Sequence, residues 1–487
     1  MKSRTYDDAV ELLNTLQTPI ELVKERLKPG STYYETANQE LRRCLDHIGY
    51  SQRDLEKLNI IHVAGTKGKG TTCAYVGSIL SHYSKSHGIP KNIGLFTSPH
   101  LIAVRERIRI NSSPISAASF AKYFFEVWDA LDAAKATDSF ETPVYFRYLT
   151  LMSYHVFLSE GVDTAIYEVG LGGEYDSTNI VDRPVVTGIS RLGIDHVSIL
   201  GSTIDKIAWN KAGILKAGVS AFTVDQVPEA MEVIEQRAKE RNVASLSVVG
   251  VDSRLNGVKI RPDAEFQKSN ASLAIALADT ALKRLDPKYV SSTDSLPKEF
   301  VDGLEQAVWR GRCETKMEGN ITWYLDGAHT MDSIKVAAQW FSNESSQRSA
   351  KRVLIFNQQG QREAMELVEQ LFNTISGEGL VHFDQVIFCT NAAREEKGTK
   401  KDLVNNVYDS AMIASLAQQK SFAERWRSLD PSPSTQIHVL NTIEDAFDHV
   451  RSSNHATDET EKTEVFVTGS IHLIGRALGI LEGVDAL

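Results

Sequence analysis

Gly65–Thr72, reading GTKGKGTT, carries the sharpest chemical signal in the chain. Glycines let a backbone wrap tightly, so successive N–H groups can point at phosphate oxygens. A helix that starts at such a turn adds its partial positive charge. Lys69 is then a point charge within reach of the β- and γ-phosphates, and Lys67, Gly68, Lys69, Gly70 and Thr71 form the candidate cradle. The run departs from G-x-x-x-x-G-K-[ST], because Gly70 separates Lys69 from Thr71. A plain flexible basic turn is the alternative. Against it, Asn59–Gly65 (NIIHVAG) reads as a strand running into the turn and Lys69–His87 as a helix leaving it.

Phosphate chemistry calls for a divalent ion with hard oxygen ligands. Glu168 sits at the end of the apolar run Asp163–Gly170, where open α/β sheets bind ligands; its alternative is a carboxylate that caps a helix or bonds a loop. Ser98, after the strand Asn92–Thr97, reads as a hydroxyl ligand or as a turn serine before Pro99. His196 in IDHV reads by itself as a loop histidine, and Lys211 in WNKAGI as a solvated lysine. In RGRCE, Arg312 competes with Arg310 as a phosphate clamp near a domain boundary. Asp326 ends a strand and opens DGAHT, which otherwise reads as a turn, and Asn270 in QKSNAS doubles as a helix N-cap. Arg105, Arg107 and Arg109 alternate in VRERIRIN. Period-two spacing puts them on one face of an extended segment, either a solvated strand face or a local cationic surface.

These residues need a frame. Short apolar runs alternate with amphipathic stretches: helices at Ser116–Lys135, Val227–Asn242 and Asn270–Leu285, and a further strand at Arg183–Arg191. The rhythm restarts near residue 320, with strands at Ile321–Leu325, Arg352–Phe356, Gln385–Thr390, Gln436–Leu440 and Glu464–Thr468 and a helix from about Met331. Ser452–Thr463 reads as a loop. Alternation of this kind predicts an α/β fold with mostly parallel sheets covered on both faces. The expected domains are residues 1–310, with the phosphate loop, and a smaller doubly wound domain at 311–487.

Composition excludes several classes. The 487 residues are 42% hydrophobic and 24% charged, with a net charge of −10. That is no basic footprint for nucleic acid, and no apolar run approaches the ~20 residues of a membrane span. Cys44, Cys73, Cys313 and Cys389 are widely spaced, the pattern of reduced thiols rather than disulfides or zinc. The start MKSRTYDDAVELLNTLQ has no apolar core of a signal peptide, so the expected compartment is the cytoplasm, with a mitochondrial pool open through another start.

GTKGKGTT resembles the nucleotide loop of the Mur ligase superfamily, most closely the folylpolyglutamate synthase branch in its eukaryotic form. Further blocks agree in order: Leu95–Leu101, Phe146–Leu151, Tyr167–Asn179, Leu192–Gly201, Ile207–Lys216, Trp309–Glu314 and Asp326–Thr330. The resemblance implies a P-loop ATPase domain, a C-terminal Rossmann-like domain and an active site in the cleft. It implies ATP-dependent addition of L-glutamate to the γ-carboxylate of a reduced folate through an acyl phosphate, by a monomer. It carries over Ser98 and Glu168 as ligands of one Mg²⁺ and His196 of a second, with a monovalent cation such as K⁺ beside them. Lys211 is carbamylated in related ligases. Asn270 matches an adenine-side residue, Arg312 and Asp326 match ATP contacts, and His329 and Ser470 match the glutamate site. Arg476 stands where a more apolar residue is expected. The nearest rival is a dihydrofolate synthase or a bifunctional enzyme. Cell-wall amide ligases and a nucleotide-dependent switch fit the blocks less well.

Overall fold

The strand β1 (Ile61–Ala64) is buried at every position. So are β2 (Ile93–Phe96), β5 (Thr164–Glu168) and β6 (Val186–Ile189). Strands buried on both faces read as continuous apolar runs, the signature of a parallel sheet packed between helices. The computed structural model describes residues 4–18, 22, 33–345, 350–358, 363–377, 382–392, 394, 402, 415–430, 432, 434–455 and 462–487. It divides into two units: Met1–His100 with Arg105–Trp309, and Leu101–Val104 with Arg310–Leu487.

The first unit holds an eight-stranded sheet in the order β4-β3-β2-β5-β1-β6-β7-β8. Here β3 is Ile108–Ile110, β4 Ser113–Pro114, β7 Ser220–Val224 and β8 Ser245–Val249. From β2 to β8 all pairings are parallel, and only β3 and β4 run antiparallel at one edge. One apolar layer joins the Lys69–His87 helix, through Val76, Ile79 and Leu80, to the Glu265–Leu285 helix, through Leu273 and Leu277. A separate cluster puts Ala64 and Ile189 against Ala208, Ala212 and Ile234.

The second unit repeats the scheme with six strands in the order β13-β12-β11-β14-β10-β9. They are β9 (Glu314–Glu318), β10 (Ile321–Asp326), β11 (Lys351–Phe356), β12 (Gln385–Phe388), β13 (Gln436–Val439) and β14 (Thr463–Thr468). Only β9 is antiparallel. Trp323 stacks on Phe447 at 4.0 Å between centroids, in a core with Leu325, Val467 and Ile474. Among the described residues no helix is long and apolar enough to cross a membrane.

Three local expectations change. VRERIRIN is not one extended segment, because Val104–Arg107 forms a 3-10 turn and only Ile108–Ile110 is strand. The three arginines therefore do not share a solvated face. The helix expected to begin at Asn270 begins at Glu265 with Ala264 as its N-cap, so Asn270 is no cap. Ser452 onward is not all loop: the preceding helix runs through His455 and β14 starts at Thr463, while residues 456–461 lie outside the described residues.

Candidate active site

Four neighbouring parallel strands, β2, β5, β1 and β6, end along one edge of the first sheet. In register, Val63 faces Glu168, Phe96 faces Tyr167 and Ala64 faces Ile189. The residues that follow these strands are therefore brought together by topology: Ser98, Glu168, the Gly65–Gly68 loop, and the Ser190–His196 segment.

The loop is held from beneath. The N–H groups of Thr66 and Lys67 both donate to Arg191 O at 3.0 Å, and Ser190 Oγ donates to Lys67 O at 2.7 Å. The Lys67 amide is thus engaged within the protein. Lys69, Gly70 and Thr71 open the helix, so their N–H groups lack partners inside it, the kind of donor set a phosphate cradle needs. Gly68 adopts φ +82°, and a Cβ there would lie 2.1 Å from Asn270 Oδ1, so only glycine fits. Asn270 is 5% exposed and donates to Gln267 Oε1 at 3.0 Å, which fixes it against the loop. The Trp309 ring lies against Gly70.

Two lysines converge on one carbonyl. Lys69 Nζ donates to Gly65 O at 2.9 Å, and Lys211 Nζ donates to the same oxygen at 2.8 Å. Lys211 is 3% exposed, at the end of the Ile204–Lys211 helix, and is not the solvated lysine its sequence context suggests. Burial first, then the charge of Lys69, lowers its pKa to about 7. The loop after β5 braces this helix: Glu174 N donates to Asn210 O at 2.7 Å, and the Glu174 carboxylate pairs with Arg241 and Arg237. Asp176 ties the same loop by accepting from Leu171 N, Thr178 N and Thr178 Oγ1.

Glu168 is 5% exposed, and its Oε2 accepts the Ser98 N–H at 3.2 Å. A carboxylate and a serine hydroxyl are hard oxygen donors of the kind that suits a divalent ion. Among the described residues, no three His, Cys, Asp or Glu side chains gather to hold a metal alone. Magnesium, which keeps waters and shares phosphate oxygens, fits such a sparse set. His196 is exposed and sits at φ +50° before a short helix, with Nε2 3.9 Å from Asp195 Oδ1. Partial desolvation, and then Lys211, Lys69 and Lys67, pull its pKa below the ordinary histidine value. Arg107, read in the sequence only as part of a cationic face, donates through Nε to His100 Nδ1 at 3.0 Å and interacts electrostatically with Glu168.

The second unit has its own strand edge. Asp326, 6% exposed at the end of β10, accepts Cys313 N at 2.8 Å and Ala328 N at 2.9 Å. Burial raises its pKa against the pull of Arg312. Arg312 Nη1 donates to Gly311 O at 3.3 Å and packs over Gly327. Arg310 pairs instead with Glu314 and Glu482. His329 is exposed, with Nδ1 2.9 Å from Gly327 O. Ser470 holds the N-cap position of the Ile471–Glu482 helix just after β14, and its side chain makes no capping bond.

A glycine-rich strand–turn–helix loop after the central strand of a mostly parallel sheet, in a chain that carries a second doubly wound unit, defines a two-unit α/β protein of the P-loop kind. Comparison narrows this. Residues 310–480 match the family model described as the C-terminal domain of dihydrofolate synthetase. Folylpolyglutamate synthase of Neurospora crassa is 57% identical over 100% of this chain and 93% of its own length. The Candida albicans folylpolyglutamate synthase is 43% identical over 98% and 96%. The fold matches Mycobacterium tuberculosis folylpolyglutamate synthase complexed with ADP, at TM-score 0.73 and 21% identity over 99% of this chain and 100% of that one. The apo form of L. casei FPGS matches at TM-score 0.71 and 20% identity over 98% and 99%. The chain belongs to the folylpolyglutamate synthase family and is a ligase.

Proposed function

We propose that this chain joins L-glutamate to the γ-carboxylate of tetrahydrofolate and of its polyglutamates, with ATP converted to ADP and phosphate. The observation that carries the reading is the row of strand ends at β2, β5, β1 and β6, with Lys69 and Lys211 on one loop carbonyl and Glu168 beside Ser98. The folate γ-carboxylate attacks the γ-phosphorus, ADP leaves, and an acyl phosphate forms. The amino group of glutamate then attacks the acyl carbon, and phosphate leaves through a tetrahedral intermediate.

Each residue has a part in this scheme. The N–H groups of Lys69, Gly70 and Thr71, with the turn at Lys67 and Gly68, hold the nucleotide phosphates. Lys69 balances charge on the phosphoryl group in flight, where positioning and electrostatics do most of the catalysis. Asn270 borders the adenine side, and Arg312 and Asp326 contact the nucleotide. Ser98 and Glu168 would hold one Mg²⁺ and His196 a second; bound magnesium neutralises phosphate charge. A pKa near 7 leaves Lys211 partly as the free amine at neutral pH, the form that carbamylation by CO₂ requires. His329 orients the incoming amine and Ser470 binds the amino acid. A monovalent cation such as K⁺, a monomeric state and a cytoplasmic location belong to the same reading.

Labelled glutamate incorporation tests it, with tetrahydrofolate, dihydropteroate or no acceptor. Incorporation that requires tetrahydrofolate, with one ADP per glutamate, is the expected outcome. Incorporation with dihydropteroate alone would move the chain to dihydrofolate synthesis, the second reading, favoured by the family model over residues 310–480.

A further inference from the structure

Behind Ser470, at the carboxyl edge of the second sheet, buried amides stand in single file. The Gln419 Nε2 donates to Asn357 Oδ1 at 2.9 Å. Asn357 Nδ2 donates to Asn391 Oδ1 at 2.8 Å. Asn391 Nδ2 donates to Ser470 Oγ at 3.2 Å. Asn357 is 1% exposed, Gln419 5%, Ser470 6% and Asn391 8%. Asn357 directly follows β11, Asn391 lies just beyond β12, Ser470 lies just beyond β14, and Gln419 comes from the Ala417–Leu429 helix. The backbone is fixed as tightly. Asn357 N donates to Thr468 O at 3.3 Å. Gly469 adopts φ +106°, and a Cβ there would lie 2.5 Å from Asn357 O.

Every bond in the file points the same way. A carboxamide donates from nitrogen and accepts at oxygen, so the orientation of one amide sets the next. Gln419 sets Asn357, Asn357 sets Asn391, and Asn391 offers N–H to Ser470. A hydroxyl has one proton and cannot send it along the bond in which it accepts. Ser470 is therefore left as a donor toward whatever lies beyond Asn391. Neutral dipoles achieve this without an unpaired buried charge.

We infer that Asn391, backed by Asn357 and Gln419, is a positioning residue that fixes Ser470 as a hydrogen-bond donor to a carboxylate of the incoming amino acid. The inference rests on the reading of Ser470 as a glutamate contact. Its direction can be reversed from the Gln419 end, the far end of the file from Ser470, and that end gives the test. In Gln419→Glu, an ionised carboxylate can only accept. Asn357 and then Asn391 must turn over, and Ser470 must donate inward.

The experiment is steady-state kinetics of the full chain at a pH where the introduced carboxyl is ionised. Gln419→Glu should raise KM for glutamate about tenfold, the weight of one hydrogen bond to a charged group, and leave KM for ATP and folate in place. Gln419→Met, which keeps the packing but imposes no direction, should have a smaller effect. In a Ser470→Ala background, Gln419→Glu should add nothing further. Asn391→Asp, which reverses the last bond directly, should behave alike and serves if the first variant does not fold. An unchanged glutamate KM in Gln419→Glu and Asn391→Asp, with a raised one in Ser470→Ala, would overturn the relay and spare the Ser470 reading. Additive effects in the double variant would also overturn it. An unchanged glutamate KM in Ser470→Ala would overturn both.

Discussion

The two sheets present different groups at the same edge. At the carboxyl edge of the first, charge is concentrated: Lys69 and Lys211 share the Gly65 carbonyl, and Glu168 ends the adjacent strand. At the carboxyl edge of the second, the buried groups around Ser470 are neutral amides, and the buried acid that ends β10, Asp326, is tied to local N–H groups. The contrast matches the ligands proposed for each edge. A triphosphate is a strong anion and is held by fixed positive charge. An amino acid carries both signs, so it is better oriented by dipoles of set direction than by net charge. One architecture is thus specialised by what stands in the loops after its strands.

The contrast can be broken from either side. Lys69→Ala should have the largest effect, a loss of turnover of about 10²- to 10³-fold with little change in KM for glutamate. ADP release coupled to glutamate incorporation measures both. Gly68→Ala comes next, because a side chain must take a left-handed φ and displace Asn270. A stability loss of about 1–3 kcal/mol in chemical denaturation is expected, with a raised KM for ATP. Ser470→Ala should raise KM for glutamate about tenfold and leave KM for ATP alone.

A further effect is on pH dependence. Lys211 has a folded pKa of about 7, below its ordinary 10.5. Between those values the unfolded chain binds a proton that the folded chain has released. Folding stability therefore rises with pH from about 7 to about 10.5 and gains nothing from this group below that window. In Lys211→Met the rise should be missing when unfolding is followed across the same range.

Much of the first edge was legible. A strand, a glycine-rich turn and a helix are local features, so the cradle at Gly65–Thr72 follows from adjacent residues. Glu168 at a strand end was readable for the same reason. Burial of Lys211 was not, since it depends on helix docking and on the loop holding Glu174, both distant in sequence. Arg107 was misread because period-two spacing does not distinguish a strand from a turn that leads into one. The strands β7, β8 and β9 went unread because they are partly polar and lie toward sheet edges, where burial imposes little pattern. The file from Gln419 to Ser470 joins four chain segments and has no local sequence mark at all.

Isotope exchange within ATP tests the division of labour most directly. With folate present and glutamate omitted, reversible formation of the acyl phosphate scrambles labelled oxygen between the β,γ-bridge and the non-bridging positions. Ser470→Ala should scramble at the rate of the natural chain, and Lys69→Ala about 10²- to 10³-fold more slowly. Loss of exchange in Ser470→Ala, or its persistence at the natural rate in Lys69→Ala, would contradict the assignment of phosphoryl transfer to the first edge and glutamate binding to the second.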